Sequence, residues 1–192
     1  MTRNNSCNGK NLPEDFSIKI TAFGKDYKLE TFQPLPISRE KAFVFFENPK
    51  NLFDITPDWL DFRMDTYEAG EKVFKGAEYD YHIRWFGLRV KWRSKIQTYN
   101  PPHDFTDIQV VGPYTKWEHS HSFEERNGKT LMSDTVVYRV PLSLLGRIVH
   151  ALFVKKQLLD IFCYRAIKIM EWVEGIKNEN FIQDKSIWHL QH

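Results

Sequence analysis

Thr115-Lys116-Trp117-Glu118-His119-Ser120-His121-Ser122-Phe123-Glu124, followed by Thr130-Leu131-Met132-Ser133-Asp134-Thr135-Val136-Val137-Tyr138, is the stretch that decides the fold. In the first segment residues 115, 117, 119, 121 and 123 point one way, and the intervening residues are polar or charged. That alternation is the signature of a half-buried strand. It puts both imidazoles on the face of Trp117 and Phe123, the face a sheet buries. Asn127-Gly128 between the segments is a strong hairpin signal, because both residues tolerate the positive φ of a type I′ turn. In that register His121 faces Asp134, His119 faces Val136, Phe123 faces Met132 and Trp117 faces Tyr138. A loop of three residues would set Ser133 or Thr135 opposite His121 and mix the two faces, so the first register is preferred.

Outward from this hairpin, the same periods recur. Tyr27 to Leu35 reads as a strand ended by Pro34 and Pro36. Ser38 caps a short apolar helix containing Ala42, Phe43, Phe45 and Phe46. Asn48-Pro49 breaks it and opens a second short helix, which Pro57 stops. Phe62 to Tyr67 is a short strand. Ala77 to Trp85 and Leu88 to Thr98 form a hairpin about Phe86-Gly87, with Glu78, Asp80, His82 and Arg84 set against Lys95, Arg93, Lys91 and Arg89. Pro101-Pro102 leads to a strand at Phe105 to Val111, and Gly112-Pro113 leads into the histidine strand. After Pro141 the period becomes helical: Leu145, Ile148, Leu152, Leu159, Phe162, Ala166, Ile169 and Val173 mark one long amphipathic helix. It is expected to start at a Ser143 cap, bend near Lys155-Lys156 and end at Gly175.

The order of elements is that of an α+β fold, a curved antiparallel sheet wrapped around a long C-terminal helix with two short helices after the first strand. Residues 1–26 form an N-terminal extension, partly disordered or an extra strand. Residues 27–176 are the main domain and 177–192 a C-terminal tail.

Composition narrows the function classes. With 27 Lys and Arg against 25 Asp and Glu, net charge gives no argument for a nucleic-acid partner. Arg89, Lys91, Arg93 and Lys95 form a basic stripe, but Glu78 and Asp80 lie beside it and no stacking aromatics lie between the charges on that face, so a solvated face is expected. Met1 to Asn11 carries no apolar core of a secretory signal, and no apolar run is long enough for a spanning helix. Cys7 and Cys163 lie far apart in sequence, so two free thiols in a reducing, cytoplasmic setting are expected. Integral membrane association is not expected; a monomer or weak homodimer is.

Several motifs together resemble a known family. They are Phe46-Glu47-Asn48-Pro49-Lys50-Asn51-Leu52 with Thr56-Pro57-Asp58-Trp59-Leu60, then Val90-Lys91-Trp92-Arg93, Pro101-Pro102-His103-Asp104-Phe105, Gly112-Pro113-Tyr114 and Trp117-x-His119-x-His121-x-Phe123. From Tyr27 to Gly175 the chain resembles the START-like (SRPBCC) superfamily with its helix-grip fold, and within it the polyketide cyclase/dehydrase-like branch of small bacterial proteins. The resemblance implies a cavity between the sheet and the C-terminal helix. It implies little about chemistry, because the superfamily spans carriers, receptors and enzymes.

Residues expected to line such a cavity are Phe46, Ile55, Trp59, Tyr79, Tyr81, Trp92, Trp117, His119, His121, Asp134, Tyr138 and Phe153. Polar groups among so many aromatics suit a small hydrophobic, aromatic or lipid-like ligand. Asp134 opposite His121 supplies the partner that a buried imidazole needs. That pair could anchor a ligand, serve an enzyme as general base with its orienting carboxylate, or only knit two strands. The candidates for catalysis are therefore His121, Asp134 and His119, in a cyclase- or dehydratase-like reaction. A third class is a protein-interaction module. Zinc on His119, His121 and Asp134 is disfavoured, because a coordinating histidine needs an acceptor for its other nitrogen and none is identifiable. No metal and no cofactor are expected.

Overall fold

The computed structural model describes Cys7 and residues 12–65 and 72–190, with backbone alone at 143 and 177–190. Eight strands form one antiparallel sheet: β1 (Ser17–Phe23), β2 (Asp26–Leu35), β3 (Arg63–Met64), β4 (Glu78–Trp85), β5 (Leu88–Asn100), β6 (Asp104–Val111), β7 (Lys116–Arg126) and β8 (Lys129–Arg139). Their spatial order is β1-β2-β8-β7-β6-β5-β4-β3, so β2 closes onto β8 and the rest is a meander. Two short helices, α1 (Arg39–Phe46) and α2 (Asn51–Asp54), follow β2. The Ser38 hydroxyl accepts from Lys41 N–H as the expected cap of α1.

The histidine hairpin has the register read from its sequence, with His121 paired to Asp134 and His119 to Val136. Asn127 and Gly128 both take positive φ, 53° and 72°, at its turn. The β4–β5 hairpin likewise pairs Glu78 with Lys95 and Asp80 with Arg93, and Asp80 takes Arg93 in a two-point salt bridge at 2.8 Å. These charges hold the outer face and leave the aromatics to the inner one.

The C-terminal helical region differs from expectation at both ends. Leu142, at φ 72°, is the residue that precedes α3 (Ser143–Val149), so Ser143 begins the helix instead of capping it. A π-helical turn, His150–Val154, interrupts the helical run just ahead of Lys155. Helix α4 then runs from Lys155 to Leu190, passing through Gly175. A single glycine inside a long helix costs only about 1 kcal/mol against alanine, too little to stop it. The segment read as a tail from residue 177 is thus helical to Leu190. Of the short strand expected at Phe62 to Tyr67, Arg63–Met64 pairs with β4, and residues 66–71 lie outside the described residues.

The cysteines overturn a second expectation. Cys7 and Cys163 are joined as a disulfide, with Cα atoms 6.3 Å apart across 156 residues of sequence. Cys7 packs with Phe162, Leu158 and Ile18 in one apolar cluster, so a partner remote in sequence is adjacent in space. The cysteine count therefore gives no argument for a reducing compartment. No helix among the described residues is long and apolar enough to cross a membrane.

Two apolar clusters fill the grip. One gathers Phe43, Phe46, Phe105, Phe123 and Met132 under α1 with Ile169 and Val173 of α4. The other sets Val154, Leu158 and Phe162 against Leu29, Trp92, Val136 and Tyr138. Gln33 Nε2 donates to the Ala166 carbonyl at 2.9 Å and ties α4 to β2 where the clusters meet.

Candidate functional site: a cavity with one charged wall

Between the sheet and α4 lies a cavity of about 190 Å³. One water needs only about 10–15 Å³ on such a measure, so there is room for a ligand and not merely a buried solvent molecule. Its lining is aromatic and aliphatic over most of its extent, drawn from both core clusters. Eight of the expected lining residues border it: Phe46, Ile55, Tyr79, Tyr81, Trp92, Trp117, His119 and His121.

The other four sit elsewhere. Asp134 lies behind the histidines, buried at 2% exposure. Tyr138 is fully buried, and its hydroxyl meets His150 Nε2 at 2.8 Å. Trp59 and Phe153 are about half exposed and flank a shallow outer depression with Phe86 and Leu152. Strand parity could place Tyr138 on the inner face but not decide whether that face met space or neighbours. For Trp59 and Phe153, the 3-10 turn and the π-helical turn that carry them rotate the side chains outward.

Charge is concentrated on one wall. His119 Nε2 lies 3.1 Å from Asp134 Oδ1 in a hydrogen bond. Thr31 Oγ1 donates to Asp134 Oδ2 at 3.1 Å, so both oxygens of that carboxylate are held. His121 Nδ1 is 2.9 Å from Asp134 Oδ1, but off the line of its N–H, so this is an electrostatic contact without a hydrogen bond. The diagonal neighbour, His119, therefore makes the bond expected of the directly paired His121. The imidazole centroids are 3.9 Å apart, and Phe105 stacks on His121 at 4.3 Å.

Asp107 and Arg165 complete the wall, and sequence reasoning missed both. Asp107 pairs with His119 across β6 and β7. Its Oδ2 is 3.6 Å from His119 Nδ1 and 3.5 Å from His121 Nε2, and its Oδ1 is 3.5 Å from Ser94 Oγ. Ser94 in turn accepts from Trp92 Nε1 at 3.1 Å and meets the Tyr81 hydroxyl at 2.9 Å. The alternation Phe105-x-Asp107 already put an acid on an apolar face, but the Gly112-Pro113 connection left the β6–β7 register uncounted. Arg165 lies over the Phe162 ring at 4.9 Å. It is 9% exposed and its Nε has no hydrogen-bond partner among the described residues. Its signal was a lone cation three residues after Phe162, within the apolar stripe of α4.

Electrostatics separates the two histidines. Burial pushes His119 down, and the neighbouring His121 adds to that. Burial also opposes a charge on His121, but Asp107 and Asp134 outweigh it and hold its pKa above the ordinary value. Burial would raise both carboxylates; the histidines and Arg165 overcome it at Asp107, and the histidines hold Asp134 well below the usual range. Burial lowers Arg165. With His121 protonated, two anions face two cations and the wall is close to neutral.

No family model matches the chain, and neither does any curated protein. Solved structures do. Protein Ms6760 from Mycobacterium smegmatis superimposes with a TM-score of 0.58 at 11% identity, over 83% of this chain and 99% of that one. A START superfamily protein from Mycobacterium smegmatis gives 0.53 at 15% identity, over 78% and 98%. Ara h 8.0201 gives 0.52 at 16% identity, over 78% and 99%. At such identities the likeness is one of fold, and it agrees with the eight-stranded curved sheet gripping α4. The chain has the START-like helix-grip fold.

Proposed function

We propose that the protein binds a small, mostly apolar molecule, aromatic or lipid-like, in the cavity between sheet and α4, with the molecule's polar end against the charged wall. The carrying observation is Arg165: a buried guanidinium borders the cavity with an Nε that nothing among the described residues satisfies. A buried donor left unpaired costs about 1–3 kcal/mol, which a carboxylate or carbonyl oxygen of a ligand would recover. The aromatic remainder of the lining supports an apolar body for the same ligand.

The test is titration with 8-anilinonaphthalene-1-sulfonate, a flat aromatic anion, followed by fluorescence. Saturable one-to-one binding is expected, weakened at least tenfold in Arg165→Met, with circular dichroism confirming that the variant is folded. Absence of saturable binding to the native chain would overturn the proposal. Native mass spectrometry of the freshly purified protein should also reveal a retained small molecule.

A cyclase- or dehydratase-like enzyme is the second reading, favoured by the opposite shifts of two adjacent histidines. Environments that push neighbouring groups apart suit an acid and a base. His121, whose pKa the two carboxylates raise, fits the acid, and His119, whose pKa burial lowers and whose Nδ1 makes no hydrogen bond among the described residues, fits the base. Turnover of a polyketide-like substrate that disappears in His119→Gln, with probe binding retained, would favour this reading over simple binding.

A further inference from the structure

We propose that Asp107, His119 and His121 form a binding site for a divalent transition-metal ion of the zinc type, opening into the cavity, with Asp134 as the residue that orients His119. One ligand atom from each residue lies within 4.8 Å of the other two. The two distances from Asp107 Oδ2 are 3.6 and 3.5 Å. These are too long for good hydrogen bonds. They are close to the edge of a tetrahedron around zinc, where bonds of about 2.0–2.1 Å set ligand atoms roughly 3.3–3.4 Å apart.

The placement of protons favours the same conclusion. The bond to Asp134 assigns the proton of neutral His119 to Nε2, which leaves the Nδ1 lone pair turned toward Asp107 Oδ2. Two acceptors facing each other at that distance are placed to share one cation. Asp107 is ready as a ligand, because its other oxygen leans on Ser94 while Oδ2 is turned to the rings. Asp134 supplies what a coordinating histidine needs, an acceptor on the far ring nitrogen, itself fixed by Thr31. The absence of such an acceptor counted against metal in the sequence. With Asp107 in the ligand's place, Asp134 is free to be that acceptor.

Three protein ligands with one open direction is the pattern of a site that accepts an exogenous ligand. Two nitrogens and one oxygen suit zinc, cobalt or ferrous iron better than magnesium or calcium. With neutral histidines, a divalent ion and Arg165 exceed the charge of Asp107 and Asp134 by one. The fourth ligand should therefore be an anionic oxygen, a hydroxide or the acidic end of a cavity ligand.

The site does not require the apolar ligand proposed above, and its test is separate. The full chain, stripped with a chelator, is titrated with Co²⁺ and followed by visible absorption. One equivalent should develop the intense bands of low-symmetry, four-coordinate cobalt, and Zn²⁺ should abolish them. Asp107→Asn should weaken binding by at least tenfold, and Asp134→Asn about 10–100-fold as an orienting residue. His150→Gln, at the other buried histidine, should bind as the native chain does. Featureless spectra in the native protein, or full affinity in Asp107→Asn, would overturn the site. Loss of 8-anilinonaphthalene-1-sulfonate binding with cobalt spectra intact would instead count against the ligand proposal alone.

Discussion

Two groups of buried histidine occupy the core among the described residues, and they teach different things. His150, in the π-helical turn, stacks on Tyr27 with centroids 3.4 Å apart and meets the Tyr138 hydroxyl at 2.8 Å. Its surroundings are aromatic and among the described residues it has no carboxylate partner; burial and nearby Lys155 lower its pKa to about 4. It is a neutral ring used for packing and one hydrogen bond. His119 and His121 are buried to the same degree but share two carboxylates and border the cavity along with Arg165. Burial alone does not mark a site. Charge gathered against open space does.

The sharpest way to break this contrast is Asp134→Ala. It strips His119 and His121 of a buried counter-charge, and removing one partner of such a network costs about 3–5 kcal/mol. Urea unfolding should show a loss of that size. A loss under 1 kcal/mol would mean that the wall is not a coupled network.

Reduction of Cys7–Cys163 should come next. The tether reaches α4 at Cys163, two residues from Arg165 and beside Phe162, which packs near His119. Closing so long a loop stabilises by about 2–4 kcal/mol in typical cases, so Cys7→Ser should lower stability by that order. Thiol titration of the native chain in denaturant checks the premise, with no free thiol expected.

A smaller effect isolates His150. Its folded pKa, about 4, lies below its ordinary value of 6.5. The unfolded chain therefore binds the extra proton first, and this stability is fully present above pH 6.5 and lost as pH falls toward 4. Melting temperature should fall more steeply across that window in the native chain than in His150→Gln, which keeps an acceptor for Tyr138 but cannot titrate. Parallel curves would contradict the assignment. The smallest effect belongs to the outer depression: Trp59→Ala and Phe153→Ala should each change stability by no more than about 0.5 kcal/mol and leave probe binding intact.

Most of the fold was legible because its signals are local. Alternation fixed the histidine hairpin, Asn127-Gly128 fixed its register, and the change of period after Pro141 announced the long helix. The site was legible only in part. His119, His121 and Asp134 share a hairpin, so counting residues joined them. Asp107 needed a second register across an irregular turn. Arg165 needed the angle at which α4 crosses the sheet, which no pattern within the helix encodes. Cys7 met Cys163 only through tertiary packing, and Trp59 and Phe153 turned outward on irregular helical turns that periodicity does not anticipate.

The central claim is that ligand binding belongs to the charged wall and not to buried histidines in general. Ring-nitrogen NMR of the ¹⁵N-histidine-labelled protein, with and without 8-anilinonaphthalene-1-sulfonate, tests it most directly. The account predicts that His119 and His121 resonances shift on saturation while those of His150 stay in place. Saturable binding that leaves His119 and His121 unmoved, or that moves His150 equally, would contradict it.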